Sequence, residues 1–139
     1  LDRLSENEQR ALMELLIYMA KLDGQVPEIE RWLLDQYADL IRVDFTGLEG
    51  DLTPEELVPQ FQSPASRVIV LQELFRLCHL DGMFTAGEQS AILDIASIMG
   101  VPMDLLRKIE TWVTDGLRWV MEGEELLKEA ETVVVDRSL

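Results

Sequence analysis

A shift of 58 residues lays positions 12–41 of this chain onto positions 70–99 without a gap. Leu22-Asp23-Gly24 meets Leu80-Asp81-Gly82, Glu30 meets Glu88, and Leu16 and Ala38 meet Leu74 and Ala96. Val26 pairs with Phe84 and Leu34 with Ile92, so apolar positions fall on apolar positions. Self-similarity of this kind marks a repeated supersecondary unit that buries its apolar face only against a neighbour. Each unit reads as helix, Asp-Gly turn, helix. The expectation is one all-α domain over residues 1–131, built from two repeated helical hairpins and closed by a long C-terminal helix.

Periodicity and start signals place the elements. Leu12, Leu15, Leu16, Met19 and Leu22 follow the i, i+3, i+4, i+7 spacing of an amphipathic helix. Ser5 to Glu8 has the form of a capping box, so that helix begins near Glu6 and stops at Gly24. Pro27 opens a second helix running to about Arg42. Between Val43 and Gln62 the pattern breaks. Thr53-Pro54-Glu55-Glu56 there signals one short helix inside a connector. Ser63-Pro64 starts a long helix with Val68, Leu71, Leu74, Phe75 and Cys78 on its apolar face, ending at Gly82. Thr85 to Glu88 opens the next, with Ile92, Ile95, Ala96 and Met99 on one face, closed by Gly100 and Pro102. The last helix spans Met103 to about Ala130, with Leu105, Ile109, Trp112, Val113 and Val120 inward and a kink or break at Gly116 or Gly123. Residues 132–139 read as a frayed tail.

Composition narrows the function. The chain has 139 residues, 12 of them Lys or Arg and 27 Asp or Glu, for a net charge of −15. Phosphate backbones and anionic membranes repel such a chain, whereas metal cations and basic protein surfaces attract it. Ten acidic and two basic residues lie between Asp23 and Glu56, giving −8 over that stretch. This is either a solvated face or a docking surface for a basic partner. The single cysteine, Cys78, forms no internal disulfide and fits a reducing, cytoplasmic compartment. The longest apolar run, Leu15 to Ala20, is six residues, against about 20 for a membrane span.

The repeated turn carries the one pattern with metal chemistry. Asp23-Gly24-Gln25-Val26-Pro27-Glu28-Ile29-Glu30 and Asp81-Gly82-Met83-Phe84-Thr85-Ala86-Gly87-Glu88 share the spacing of the second half of a calcium-binding EF-hand loop. The first half is missing: Met19 and Lys21, and Leu77 and His79, stand where oxygen ligands belong. Neither turn alone supplies the six or more oxygens a hard cation takes. Two turns side by side bring Asp23, Glu30, Asp81 and Glu88 together around a divalent cation, with Glu28 at the rim. The competing reading is structural. Asp beside Gly stabilises a tight turn, and Glu at the third helical position caps a helix and complements its dipole.

The doubled Leu-Asp-Gly-x-Φ-x-x-x-Glu hairpin, where Φ is apolar, in an acidic, helical chain resembles the TerB family of tellurite-resistance proteins, a domain also found in some membrane-anchored J-domain co-chaperones. The resemblance covers about residues 12–113. It implies a compact helical domain with an acidic, metal-associated cluster at Asp23, Glu30, Asp81 and Glu88. It also implies action in stress-response assemblies near the membrane rather than as an enzyme, through a protein partner. The chain differs from the family in carrying Leu22 and Leu80 where Ala is common before Asp-Gly, and in its acidic connector.

Other residues point to packing. His79, the only histidine, sits late in a helix, where the ring serves the terminal carbonyls. Cys78 reads as a small buried hydrophobe. Trp112 and Trp119, seven apart, share a helix face suited to core packing or self-association. Phosphate-binding glycine loops, His-Glu-x-x-His and nucleophile elbows do not occur in the sequence, and the expectation is a protein without enzymatic activity.

Overall fold

The computed structural model describes residues 3–22, 52–79 and 85–137. Among these residues the regular elements are helical and none is a strand, so the chain is all-α. The first helix, α1, spans Glu6–Leu22. A short helix, α2, spans Pro54–Leu57 and runs into a 3-10 turn over Val58–Gln60. Then come α3 over Pro64–His79, α4 over Ala86–Met99 and α5 over Met103–Arg137. The expected second helix, from Pro27 to Arg42, and the Gly24 and Gly82 stops lie outside the described residues.

Each start follows from its capping residue. Ser5 Oγ accepts from the Glu8 amide at 3.2 Å, and Glu8 Oε1 accepts from the Ser5 amide at 3.1 Å. Leu4, just before this cap, is buried, and the Gln9 side-chain amide donates to its carbonyl at 3.2 Å. Thr53 Oγ1 accepts from the Glu56 amide at 3.3 Å, with Pro54 in the first turn where no amide is needed. Ser63 Oγ accepts from the Ser66 amide at 3.0 Å and begins α3 in the same way.

α1 is the central element. Ala11, Leu12, Met13, Leu15, Leu16, Ile17 and Met19 are all buried, a face too wide for a helix covered on one side only. It packs against α2, the 3-10 turn, α3 and α4, while α3 also contacts α4 and α5. Leu57, Val58 and Phe61 from the connector complete the core. On α3, Leu71, Leu74, Phe75 and Cys78 are buried as their spacing predicts, and Val68 is half-buried against the same core. Burial follows the repeat across the two described first helices. Leu12 and Val70, Met13 and Leu71, Leu16 and Leu74, and Ile17 and Phe75 are all buried, each pair 58 residues apart.

α4 ends as its glycine dictates. Gly100 sits at φ 77°, and its amide donates to Ser97 O at 3.1 Å. The Val101 amide reaches back to Ala96 O at 3.0 Å, which completes a Schellman motif before Pro102.

α5 departs from the sequence reading. It is one unbroken helix through Gly116 and Gly123, and it continues past the expected end at Ala130 to Arg137. Its inward residues are Leu106, Ile109 and Val113. Leu105, Trp112 and Val120, expected inward, are 38%, 61% and 51% exposed. The reason is geometric. Leu105 and Leu106, like Trp112 and Val113, are adjacent, so both lanes are apolar and periodicity does not choose between them. The body covers one lane and ends near Leu117.

Candidate functional site

Of the four carboxylates expected to converge, Asp23, Glu30 and Asp81 lie outside the described residues, as does Glu28. Glu88 is described. It occupies the third position of α4 and is 6% exposed. Its Oε1 accepts from the Thr85 amide at 3.2 Å and from the Thr85 hydroxyl at 3.0 Å. Thr85 Oγ1 in turn accepts from the Glu88 amide at 3.1 Å. This is a complete capping box, with a negative charge held at the positive end of a helix dipole.

Two other glutamates test what that geometry means. Glu8 forms the same reciprocal box with Ser5, and Glu56 Oε1 accepts from the Thr53 hydroxyl at 3.1 Å. Neither belongs to an Asp-Gly turn. The position of Glu88 is therefore explained by a helix start alone. What sets Glu88 apart is burial: Glu56 is exposed and Glu8 half-buried. The three bonds that fix Glu88 leave its second oxygen, Oε2, out of the box.

His79 lies at the last position of α3. Its Nε2 is 3.3 Å from Glu110 Oε2 on α5, and its ring centroid is 6.2 Å from that of Phe75. This cross-helix pair is a finding of the tertiary structure, since no local spacing links residues 31 apart. Cys78 beside it is buried, in keeping with a packing role. Among the described residues no group of three or more His, Cys, Asp or Glu side chains converges.

The described acidic surface follows the back of α5. Asp115, Glu122, Glu125 and Glu129 are exposed, with Arg118 3.8 Å from Asp115. Beside these carboxylates stand Trp119 and Leu126, one turn after Asp115 and Glu122, and further round the helix stands Leu127, all three exposed. Sequence reasoning named Trp119 but not the two leucines, although their heptad spacing from Trp112, Trp119 and Val120 was available as a signal. No described helix is long and apolar enough to cross a membrane.

Compared with protein-family models, curated proteins and solved structures, the chain matches none of them.

Proposed function

We propose that the chain is a non-enzymatic helical interaction domain whose Asp-Gly turns are structural and whose acidic surface docks a basic protein partner. The observation that supports this reading is the complete capping box of Glu88, which gives this carboxylate a structural role without a ligand. The charge of −15 supplies the attraction, and the exposed carboxylates along α5 supply part of the surface. Association then depends on ionic strength, because salt screens exposed charges beyond about 10 Å at 0.1 M.

A second reading has its own support. In it the chain is a TerB-like stress-response protein of the tellurite-resistance type, cytoplasmic and near membrane assemblies, with a divalent cation held by Asp23, Glu30, Asp81 and Glu88. The matched burial of Leu12 with Val70 and Leu16 with Leu74 favours equivalent first helices in the two repeats. Glu88 Oε2, left out of the capping box, is the oxygen that would face the cation.

Thermal melting with calcium, magnesium, manganese or zinc separates the two. A cation that binds only the folded chain adds about 2.7 kcal/mol at 100 times its dissociation constant. A melting temperature unmoved by each cation at millimolar concentration supports the interaction domain. A saturable rise with one of them overturns it in favour of the cation site.

A further inference from the structure

Beyond Val113, apart from Leu117, which packs against the core, the apolar face of α5 is exposed among the described residues. Trp119 is 76% exposed, Leu127 68%, Leu126 64% and Val120 51%. At 3.6 residues per turn, Gly116, Gly123 and Ala130 fall along the middle of this face. Trp119 and Leu126 form one wall and Val120 and Leu127 the other. The charged residues of this stretch, from Arg118 to Glu129, fall outside the sector.

The two glycines are the informative residues. A glycine inside a helix costs about 0.8–1 kcal/mol relative to alanine. Neither Gly116 nor Gly123 has the positive φ that would require it; Gly100 alone has it among the described glycines. A Cβ added at either position meets nothing within 4 Å. Nothing in the described chain therefore needs them small. What they leave is a shallow channel between two apolar walls, wide enough for another helix to approach closely.

We propose that a second copy of this chain occupies that channel, its α5 antiparallel to the first. In an antiparallel pair the large lane of one helix faces the small lane of the other, whereas a parallel pair sets glycine against glycine and leaves a void. With Val120 level with Gly123 of the second copy, Leu127 meets the second Gly116. Trp119 then lies beside the second Leu126, while Asp115 and Glu122, one turn before each, stay at the solvent edge. Glu124 faces the second Leu117. A slip of one heptad toward the C-terminus would instead set Glu124 against its own copy, and like charges select against it. The symmetry is that of an isologous dimer.

The area is sufficient. Trp119 with Val120, Leu126 and Leu127, together with Trp112 and the glycine backbone, offers on the order of 600 Å² per chain, the lower end for specific interfaces. A membrane surface is the weaker occupant, because the carboxylates bordering this face are repelled by anionic lipid. The dimer seam uses none of Asp23, Glu30, Asp81 and Glu88 and stands whether or not they hold a cation.

Sedimentation equilibrium of the full chain over roughly 1–200 µM tests the dimer, a range suited to an interface of this size. The expected result is a mass that rises to two chains. A monomer throughout overturns the proposal. Leu127→Asp, at an exposed position, is expected to weaken association at least tenfold with unchanged helicity and melting of the dilute chain. Gly123→Leu separates a close-packed seam from general stickiness: it adds apolar surface and helix propensity, yet is expected to weaken the dimer at least tenfold. Association that persists or tightens in Gly123→Leu overturns the channel. Spin labels at Glu131→Cys, at the edge of the seam, report direction, being about 30 Å apart in the antiparallel pair from the 1.5 Å rise per residue. A separation near 10 Å, set by helices packed side by side, overturns it.

Discussion

The guanidinium of Arg67, near the start of α3, donates from Nη1 to the carbonyl of Met99, the last residue of α4, at 3.1 Å. Its Nε donates at the same time to Phe61 O at 3.0 Å. One side chain thus satisfies a carbonyl at a helix C-terminus, where a cation is favoured, and pins the connector to both helices. Hydrogen bonds to charged groups contribute about 1.5–3 kcal/mol each in partly buried settings. Arg67→Ala is expected to cost about 2–3 kcal/mol in urea unfolding, and Arg67→Lys to recover less than half, because an ammonium does not reproduce the planar fork.

Thr85→Ala removes the hydroxyl from the capping box of α4 and is expected to cost about 1 kcal/mol. Glu88→Gln keeps an oxygen for the Thr85 amide and is expected to cost less than Thr85→Ala. Chemical denaturation of both variants, without added cation, measures this. A larger loss from Glu88→Gln would mean that its charge is compensated by more than the cap.

The Asp-Gly turns have a direct test of coupling. If each turn is an independent structural unit, Asp23→Asn and Asp81→Asn are expected to add within about 0.5 kcal/mol in a double-mutant cycle. The same cycle with a saturating divalent cation is expected to remain additive. Coupling that emerges only with the cation would establish a shared site.

Acid sensitivity is expected at the start of α1. Burial raises the pKa of Glu8, but hydrogen bonds from the backbone and hydroxyl of Ser5, from Ser66 and from the Gln62 backbone outweigh it and hold the carboxyl below its ordinary value of 4.5. A depressed folded-state value means that the stabilisation is present above the unfolded pKa and lost as pH falls through the folded one. Stability contributed by Glu8 is therefore complete at neutral pH and declines below about 4.5. Glu8→Gln is expected to flatten that acid limb in melting curves recorded from pH 7 to pH 3.

Gly100→Ala places a Cβ on a backbone at φ 77° and is expected to cost about 1–2 kcal/mol, though nothing lies within 4 Å of the new atom. Gly116→Ala, at ordinary helical φ, is expected to raise the stability of the dilute monomer by up to about 1 kcal/mol. The opposite signs, read by thermal melting, separate a glycine the backbone needs from one it does not.

Local chemistry determined much of this protein directly from the sequence. Ser5, Thr53, Ser63 and Thr85 start helices because a side-chain oxygen reaches an amide three residues on, and Gly100 ends one because it alone tolerates the left-handed turn. Those interactions span a few residues, so spacing reveals them. The all-α class and the buried faces of α1, α3 and α4 follow from the same short-range order. Burial at paired positions of α1 and α3 was legible through the repeat. Of the expected carboxylate cluster, only Glu88 is described, and its cap was readable from Thr85. The tertiary structure decided what depends on where the body ends. It chose Leu106 over Leu105 and Val113 over Trp112, since adjacent apolar lanes carry the same period and only packing distinguishes them. It joined His79 to Glu110 and Arg67 to Met99 across some thirty residues of chain. It also kept α5 unbroken through Gly116 and Gly123, because a glycine permits a break without imposing one, and the continuous ladder satisfies backbone groups that a break would free.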